Sequence, residues 1–172
     1  CLRLAGDAPI TLPDDELQLP AVMANWLDTE EFARHHGMSL PTELQWEYAC
    51  RAGTTTKWWT GPNADSLLGK ENTGGDADSL PVGSMAPNPF GLFDMAGNVF
   101  EWCYDAMSKY GTERAGDGQR PRGDPLLPHR VTRGASAGSE DPEFAASAHR
   151  FATIPSHRLG NLGVRFARQL AK

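Results

Sequence analysis

Apolar positions follow a helical period in two places and a two-residue period in three others, and these changes mark the elements of the chain. In DTEEFARHHG (28–37), Asp28 is suited to cap a helix with Glu31 at its third position, and Gly37 supplies the stop after Ala33, His35 and His36. The next helix is better marked. In PTELQWEYACRAG (41–53), Thr42 and Gln45 form a capping box, Leu44, Tyr48 and Ala52 recur at i, i+4 and i+8, and Gly53 provides a left-handed exit. Three short runs read as strands: NVFEWCYD (98–105), RVTRGAS (130–136) and LGVRFARQ (162–169), the last with Val164 and Phe166 on one face. Between Gly53 and Asn88 neither period persists, so irregular surface backbone is expected there, and the polar stretch 106–129 reads as an exposed excursion. Residues 1–19 read as an extended lead-in and 20–172 as one domain.

Composition narrows the class. Gly (18) and Pro (13) are spread through the 172 residues rather than clustered, which suits a loop-rich domain with a real core. The balance of 16 Lys+Arg against 22 Asp+Glu, a formal charge of −6, comes with no basic block and argues against a nucleic-acid partner. No apolar run approaches the roughly 18 to 20 residues of a membrane span, and no signal-peptide pattern opens the chain, so a protein soluble as written is expected. Cys1, Cys50 and Cys103 lie in no CxxC pairing and have no zinc spacing. Cys1 at the start leaves two readings: a lipid-anchored surface protein, or a processing boundary.

Candidate chemistry is sparse. Asp94 and Glu101 are carboxylates seven residues apart, with Gly97 between them to turn the backbone; such a set can supply the all-oxygen shell that Ca²⁺ takes. The alternative is that Asp94 caps a turn and Glu101 pairs with an arginine. Cys50 and Cys103 read as small buried core residues, and His35 and His36 as a solvated helix end. Trp58 and Trp59 either stack on a ligand or pack their loop onto the core. No nucleophile elbow or phosphate-cradling glycine loop occurs.

Four segments, SLPTELQWEYACRAGT, PVGSMAPNPFGLFDMAGNVFEWCYD, RVTRGAS and NLGVRFAR, stand in an order and spacing that resembles the formylglycine-generating enzyme (sulfatase-modifying factor) domain over residues 20–168. The resemblance implies an α+β variant of the C-type lectin fold: two helices, a small twisted antiparallel β core and long loops. It also implies that the family's N-terminal segment is absent or heavily shortened here. Its second calcium loop carries over to the side chains of Asp94 and Glu101 and the carbonyls of Gly97 and Val99; the other calcium site, near Asn72, has lost its spacing. The two copper cysteines of the family's oxidases fall at or near Pro142 and Ser147, ahead of Arg150. Neither residue replaces a thiolate, so copper is not expected.

The C-terminal stretch ASAHRFATIPSHRLGNLGVR resembles the variable proteins of diversity-generating retroelements, a binding branch of the same fold. Frame residues Ser147, Ala148, Arg150, Pro155, Arg158, Asn161, Leu162, Gly163 and Arg165 stand, while Ala137 and Ala152 depart from the frame. His149, Phe151, Thr153, Ile154, His157, Leu159 and Gly160 occupy the slots that vary in that branch, and all seven are reachable from an AAC codon by changing only its adenines. Phe151, Ile154 and Leu159 either await a partner or fill the domain's own core. These observations lead to a ligand-binding module that takes a protein or other macromolecular ligand through this loop, on a scaffold to which Ca²⁺ can contribute. The alternatives are an oxidase that modifies a sulfatase cysteine and an accessory domain of a larger protein.

Overall fold

A computed structural model describes residues 13, 16–75, 78–109 and 129–168. Cys1, most of the lead-in and most of the 106–129 excursion lie outside the described residues. After a 3₁₀ turn at Glu16–Gln18 come helix α1 (Trp26–His35) and helix α2 (Glu43–Arg51), then a long irregular stretch. Strands β1 (Phe100–Ala106), β2 (Arg130–Arg133), β3 (Phe151–Thr153) and β4 (Leu162–Gly163) follow. The sheet order is β3-β2-β1-β4, antiparallel except for the parallel β1/β4 pair. None of the described helices is long and apolar enough to cross a membrane.

Both helices form where expected, with two corrections. The cap of α1 is Asn25, not Asp28: the Asn25 side chain accepts from the Asp28 amide at 2.9 Å, and the earlier start places Trp26 inside the helix and in the core. The capping box of α2 is present as read, Gln45 N to Thr42 Oγ1 at 3.1 Å and Thr42 N to Gln45 Oε1 at 2.9 Å, and Ala52 takes the left-handed exit ahead of Gly53. Its apolar stripe, however, points outward. Leu44 and Tyr48 are 47% and 68% exposed, while Glu43, Trp46 and Cys50 are buried. The reason lies in β1, which turns two acids toward the helix: Asp105 accepts from the Glu43 amide at 2.6 Å and Glu101 from the Trp46 indole at 2.7 Å.

Alternation along β1 divides the core. Cys103 joins Trp46, Cys50, Met95 and Val131 in one cluster, whereas Trp102 joins Trp26, Leu40 and Leu162 in another, flanked by Phe100, Tyr104, Val164 and Phe166. Val164 and Phe166 therefore share a face as expected, although the final strand shortens to Leu162–Gly163 plus an isolated bridge from Ala167 to Ser39. The shortening has a steric companion. A Cβ on Gly163 would meet the Ala21 carbonyl oxygen at 2.8 Å, so the segment at Ala21 and Val22 crosses β4 only because position 163 has no side chain. Strand β3 was not signalled in the sequence; it pairs with β2 through Val131↔Ala152 and its neighbours.

Trp58 and Trp59 pack their loop onto the core, with Trp58 Nε1 donating to the Pro142 carbonyl. Replacing Thr42 by Ala removes one reciprocal bond of the capping box, and the expected cost is about 1 kcal/mol, read as a lower midpoint in urea unfolding with an unchanged slope.

Candidate functional site

The C-terminal loop leaves the scaffold at a buried ion network. Glu43, at the first turn of α2, meets Arg150 with Nε to Oε1 at 2.5 Å and Nη2 to Oε2 at 2.6 Å, and lies 3.8 Å from Arg133 Nε. Arg133 is fully buried; it pairs with Glu47 and donates through Nη1 to the His149 carbonyl. Helix α2, strand β2 and the start of the C-terminal loop are thereby fixed to one another at residues 149 and 150.

Beyond this base the seven loop residues divide. His149, Phe151 and Thr153 are half-buried and belong to the scaffold: Phe151 packs edge-on against Phe100 and Phe144, with centroids 4.8 and 5.1 Å away, and the His149 ring lies 4.4 Å from Phe151. Burial, and then the Arg133 guanidinium, hold the His149 imidazole below its ordinary 6.5, so it is neutral at pH 7. The Thr153 hydroxyl meets that of Thr132 at 3.1 Å. Ile154 and Leu159, by contrast, are 38% and 41% exposed, and His157 and Gly160 are exposed beside them. Of the two readings for the large apolar residues, Phe151 takes the core and Ile154 and Leu159 the surface.

That exposed arc is tied down at its edges. Met23 N donates to Leu159 O at 3.1 Å and Trp26 N to Pro155 O at 2.9 Å, and Arg158 bonds the Met23 carbonyl while pairing with Asp28. The loop is thus held by its backbone and by Arg158, with the side chains of Ile154, His157 and Leu159 left free of those bonds.

The candidate calcium residues converge on one corner, but a guanidinium is already there. Arg165 reaches both Glu101 oxygens at 2.8 to 3.0 Å and bonds the Phe93 carbonyl at 2.9 Å. The other contact of Glu101 is the Trp46 indole. Asp94 takes a left-handed φ of 56° and turns Oδ2 to the Gly83 amide at 2.7 Å, and the Gly97 carbonyl accepts from the Val99 amide. A Cβ on Gly97 would come within 2.8 to 2.9 Å of Asn72 backbone atoms, so glycine here serves close packing. In this arrangement the four residues fit Ca²⁺ poorly, because both Glu101 oxygens are committed to Arg165. The calcium expectation rests on the family frame alone. Near Asn72, the buried Asn98 amide pairs with both backbone groups of Leu80 at 2.9 and 3.0 Å.

At the copper positions, Ser147 is fully buried with its hydroxyl 3.7 Å from Cys50 Sγ, and Pro142 opens a 3₁₀ turn. Burial pushes the Cys50 thiol up to about 12 and Cys103 well above its ordinary value, so neither is a thiolate near neutrality. His35 and His36 are exposed at the end of α1.

Sequence reasoning missed Glu71, which lies in an aperiodic glycine-rich stretch. It is 4% exposed, and Oε1 accepts from the Trp59 indole at 2.5 Å and the Ala96 amide at 3.1 Å. Burial raises its carboxyl from 4.5 to about 7 against those two bonds. Because the folded state holds this proton more tightly than the unfolded chain, its stabilisation is complete below pH 4.5 and is lost as pH rises through about 7. Glu71→Gln is therefore expected to gain on the wild type between pH 5 and 8, by up to about 3 kcal/mol in urea unfolding. Glu101→Gln, which weakens the pairing of a partly buried Arg165, is expected to cost about 2 kcal/mol in the same assay.

Comparison with known proteins accords with this geometry. Residues 8–170 match the family described as the sulfatase-modifying factor enzyme 1-like domain. The formylglycine-generating enzyme of Thermomonospora curvata is 33% identical over 148 residues, covering 77% of this chain and 49% of that protein. The chain thus spans about half the length of that relative. Among solved structures, PvdO from Pseudomonas aeruginosa superposes with a TM-score of 0.77 at 29% identity, over 89% of this chain and 63% of that one. Treponema denticola variable protein 1 superposes with a TM-score of 0.68 at 32% identity, over 75% and 46%. The two helices, the curled four-stranded sheet and these neighbours define a C-type lectin-like fold, and the chain belongs to the sulfatase-modifying factor enzyme 1-like domain family.

Proposed function

We propose that this domain is a ligand-binding module whose recognition surface is the arc of Ile154, His157, Leu159 and Gly160, with His149, Phe151 and Thr153 forming its supporting edge. The observation that carries the reading is the division just described: the frame residues are bonded into the scaffold, while the varying slots beyond Thr153 present exposed side chains. Two large apolar residues held at the surface of a short, tethered loop are costly unless a partner covers them. The likeness to a variable protein supports a diversified loop, and the arc residues line none of the cavities of about 460, 260 and 290 Å³ found elsewhere on the domain.

A rigid base and a replaceable surface make a specific expectation. Ile154→Ser, His157→Ser and Leu159→Ser each change stability by about 0.5 kcal/mol or less, whereas Phe151→Ala costs about 3 kcal/mol. Thermal unfolding of the four variants checks this. Equal losses at Ile154 and Phe151 would place the loop in the core and remove the basis for a recognition surface.

The similarity to a formylglycine-generating enzyme favours a second reading, an oxidase acting on a cysteine of a sulfatase. Copper chemistry of that kind needs a pair of thiolates, and the corresponding positions hold Pro142 and the Cys50-bonded Ser147. Calorimetric titration with Cu(I), followed by oxygen uptake on a cysteine peptide, separates the two readings. No tight copper binding and no uptake are expected, and the opposite result would establish the oxidase.

A further inference from the structure

The face of α2 turned away from the core is apolar and projects into solvent. Leu44 and Tyr48, one turn apart, are exposed, and the ring of Phe90, itself 48% exposed, lies 5.5 Å from that of Tyr48 between centroids. Phe90 is held in that position. It stands in a turn closed by the buried side chain of Asn88, whose Oδ1 accepts from the Phe90 and Leu92 amides at 3.0 and 3.1 Å. The Asn88 Nδ2 donates in turn to the Ala49 and Cys50 carbonyls near the end of α2, at 2.7 and 3.2 Å. Two aromatic rings are thus fixed at the surface in advance, so a partner that covers them loses little to ordering. Left uncovered, such a patch is costly.

Beside this projection lies a recess. Gln45 and Ala49 line a cavity of about 290 Å³ whose other walls include Pro41, Leu92 and Phe166. Tyr48 and Gln45 are three residues apart on one helix, so projection and recess share an edge. This combination selects a second copy of the chain as the occupant. In a two-fold association a patch meets itself, so it must carry its own projection and its own recess, and it must not set like charges together. The charged residues on and beside the face are Glu47, Arg51, Arg165 and Arg168. Glu47 pairs with Arg51 at 2.9 Å, Arg165 is committed to Glu101 at 2.8 to 3.0 Å, and Arg168 is exposed beyond Ala167 at the rim. The acidic excess behind the formal charge of −6 is therefore not on this face, and two copies meet here without opposing carboxylates.

We propose that two copies of this chain associate about a two-fold axis through the outer face of α2. The Tyr48 ring of each copy enters the recess of the other, with Leu44 and Phe90 packed around it. Ile154, His157, Leu159 and Gly160 do not line the recess, and their loop is tied to Met23 and Trp26 instead. The association therefore leaves both loop surfaces free and stands whether or not they bind a ligand. Where they do, two of them in one particle raise the apparent affinity for a repeated partner.

Sedimentation velocity of the full 172-residue chain under reducing conditions, from about 1 to about 200 µM, tests this. A monomer–dimer equilibrium is expected, with a Kd in the micromolar range that suits a contact of one helix and one turn. Tyr48→Glu keeps a good helix former and sets two carboxylates at the contact; Phe90→Ala removes a ring from its edge. Each is expected to weaken association about tenfold or more while leaving the thermal midpoint unchanged, because both side chains are exposed in the monomer. Ile154→Ser and Leu159→Ser are expected to leave the dimer intact. A single monomeric species up to the highest concentration, or a dimer retained in both Tyr48→Glu and Phe90→Ala, would overturn the proposal. So would a dimer lost in Ile154→Ser and Leu159→Ser but kept in Tyr48→Glu, which would place the association on the C-terminal arc instead.

Discussion

The structure depends on one buried carboxylate, Glu43, held between two arginines. Arg133 is fully excluded from solvent and Arg150 nearly so, and between them they connect the start of α2, the end of β2 and the first residues of the C-terminal loop. Desolvating three such charges is unfavourable by itself; it is tolerated because the charges meet one another and because Arg133 also donates to Glu47 and the His149 carbonyl, and Arg150 to the Ser108 carbonyl. Removing any one member strands the others. The arrangement has a geometric effect that a hydrophobic contact of equal area lacks: a guanidinium bonded on several edges fixes direction as well as distance. The loop beyond residue 150 therefore leaves the scaffold at a set angle.

The same device recurs wherever this loop-rich chain needs order without regular structure. Irregular backbone must satisfy its polar groups by some route, and here buried side chains provide it. Asn98 pairs with Leu80 as a strand neighbour would, Asn88 receives the Phe90 and Leu92 amides on Oδ1 while donating to Ala49, and Glu71 joins the Trp59 indole to the Ala96 amide. Glu101 holds Trp46 on one side and Arg165 on the other. The functional consequence is a separation of duties. Inward-facing polar residues hold the loops, leaving the side chains of outward-facing positions such as Ile154, His157 and Leu159 exposed and outside those bonds.

Local signals survived folding where they were self-contained. The capping box of Thr42 and Gln45 is a reciprocal contact three residues apart, and it formed as read. The aromatic strand around Trp102 formed in the same way, whereas Trp58, left between two readings by the sequence, is held in the core by the Pro142 carbonyl far along the chain. Readings that failed did so for tertiary reasons. Asn25 displaced Asp28 as the cap because Trp26 had to enter the core, and the Leu44 and Tyr48 stripe turned outward because two acids of β1 and an arginine of β2 claimed the opposite face. Strand β3 was invisible because three residues of mixed polarity carry no period; β2 supplies its partner.

The site shows the same boundary. The order and spacing of four segments were enough to identify the family, and frame residues within them such as Gly163 and Arg165 make close contacts in the fold. Which of the seven loop residues face solvent was not in the order of residues: Phe151 and Ile154 are both large, apolar and three apart, and only the rings of Phe100 and Phe144 decide that the first is covered and the second is not. Glu101 could be read as a calcium ligand or as the partner of an arginine, and which arginine reaches it, Arg165, was not legible in the sequence. Sequence alone determined the local elements and the family, because caps, periods and motif spacing are short-range. The fate of each polar or apolar side chain was decided by the tertiary structure, because it depends on what arrives from sixty or a hundred residues away.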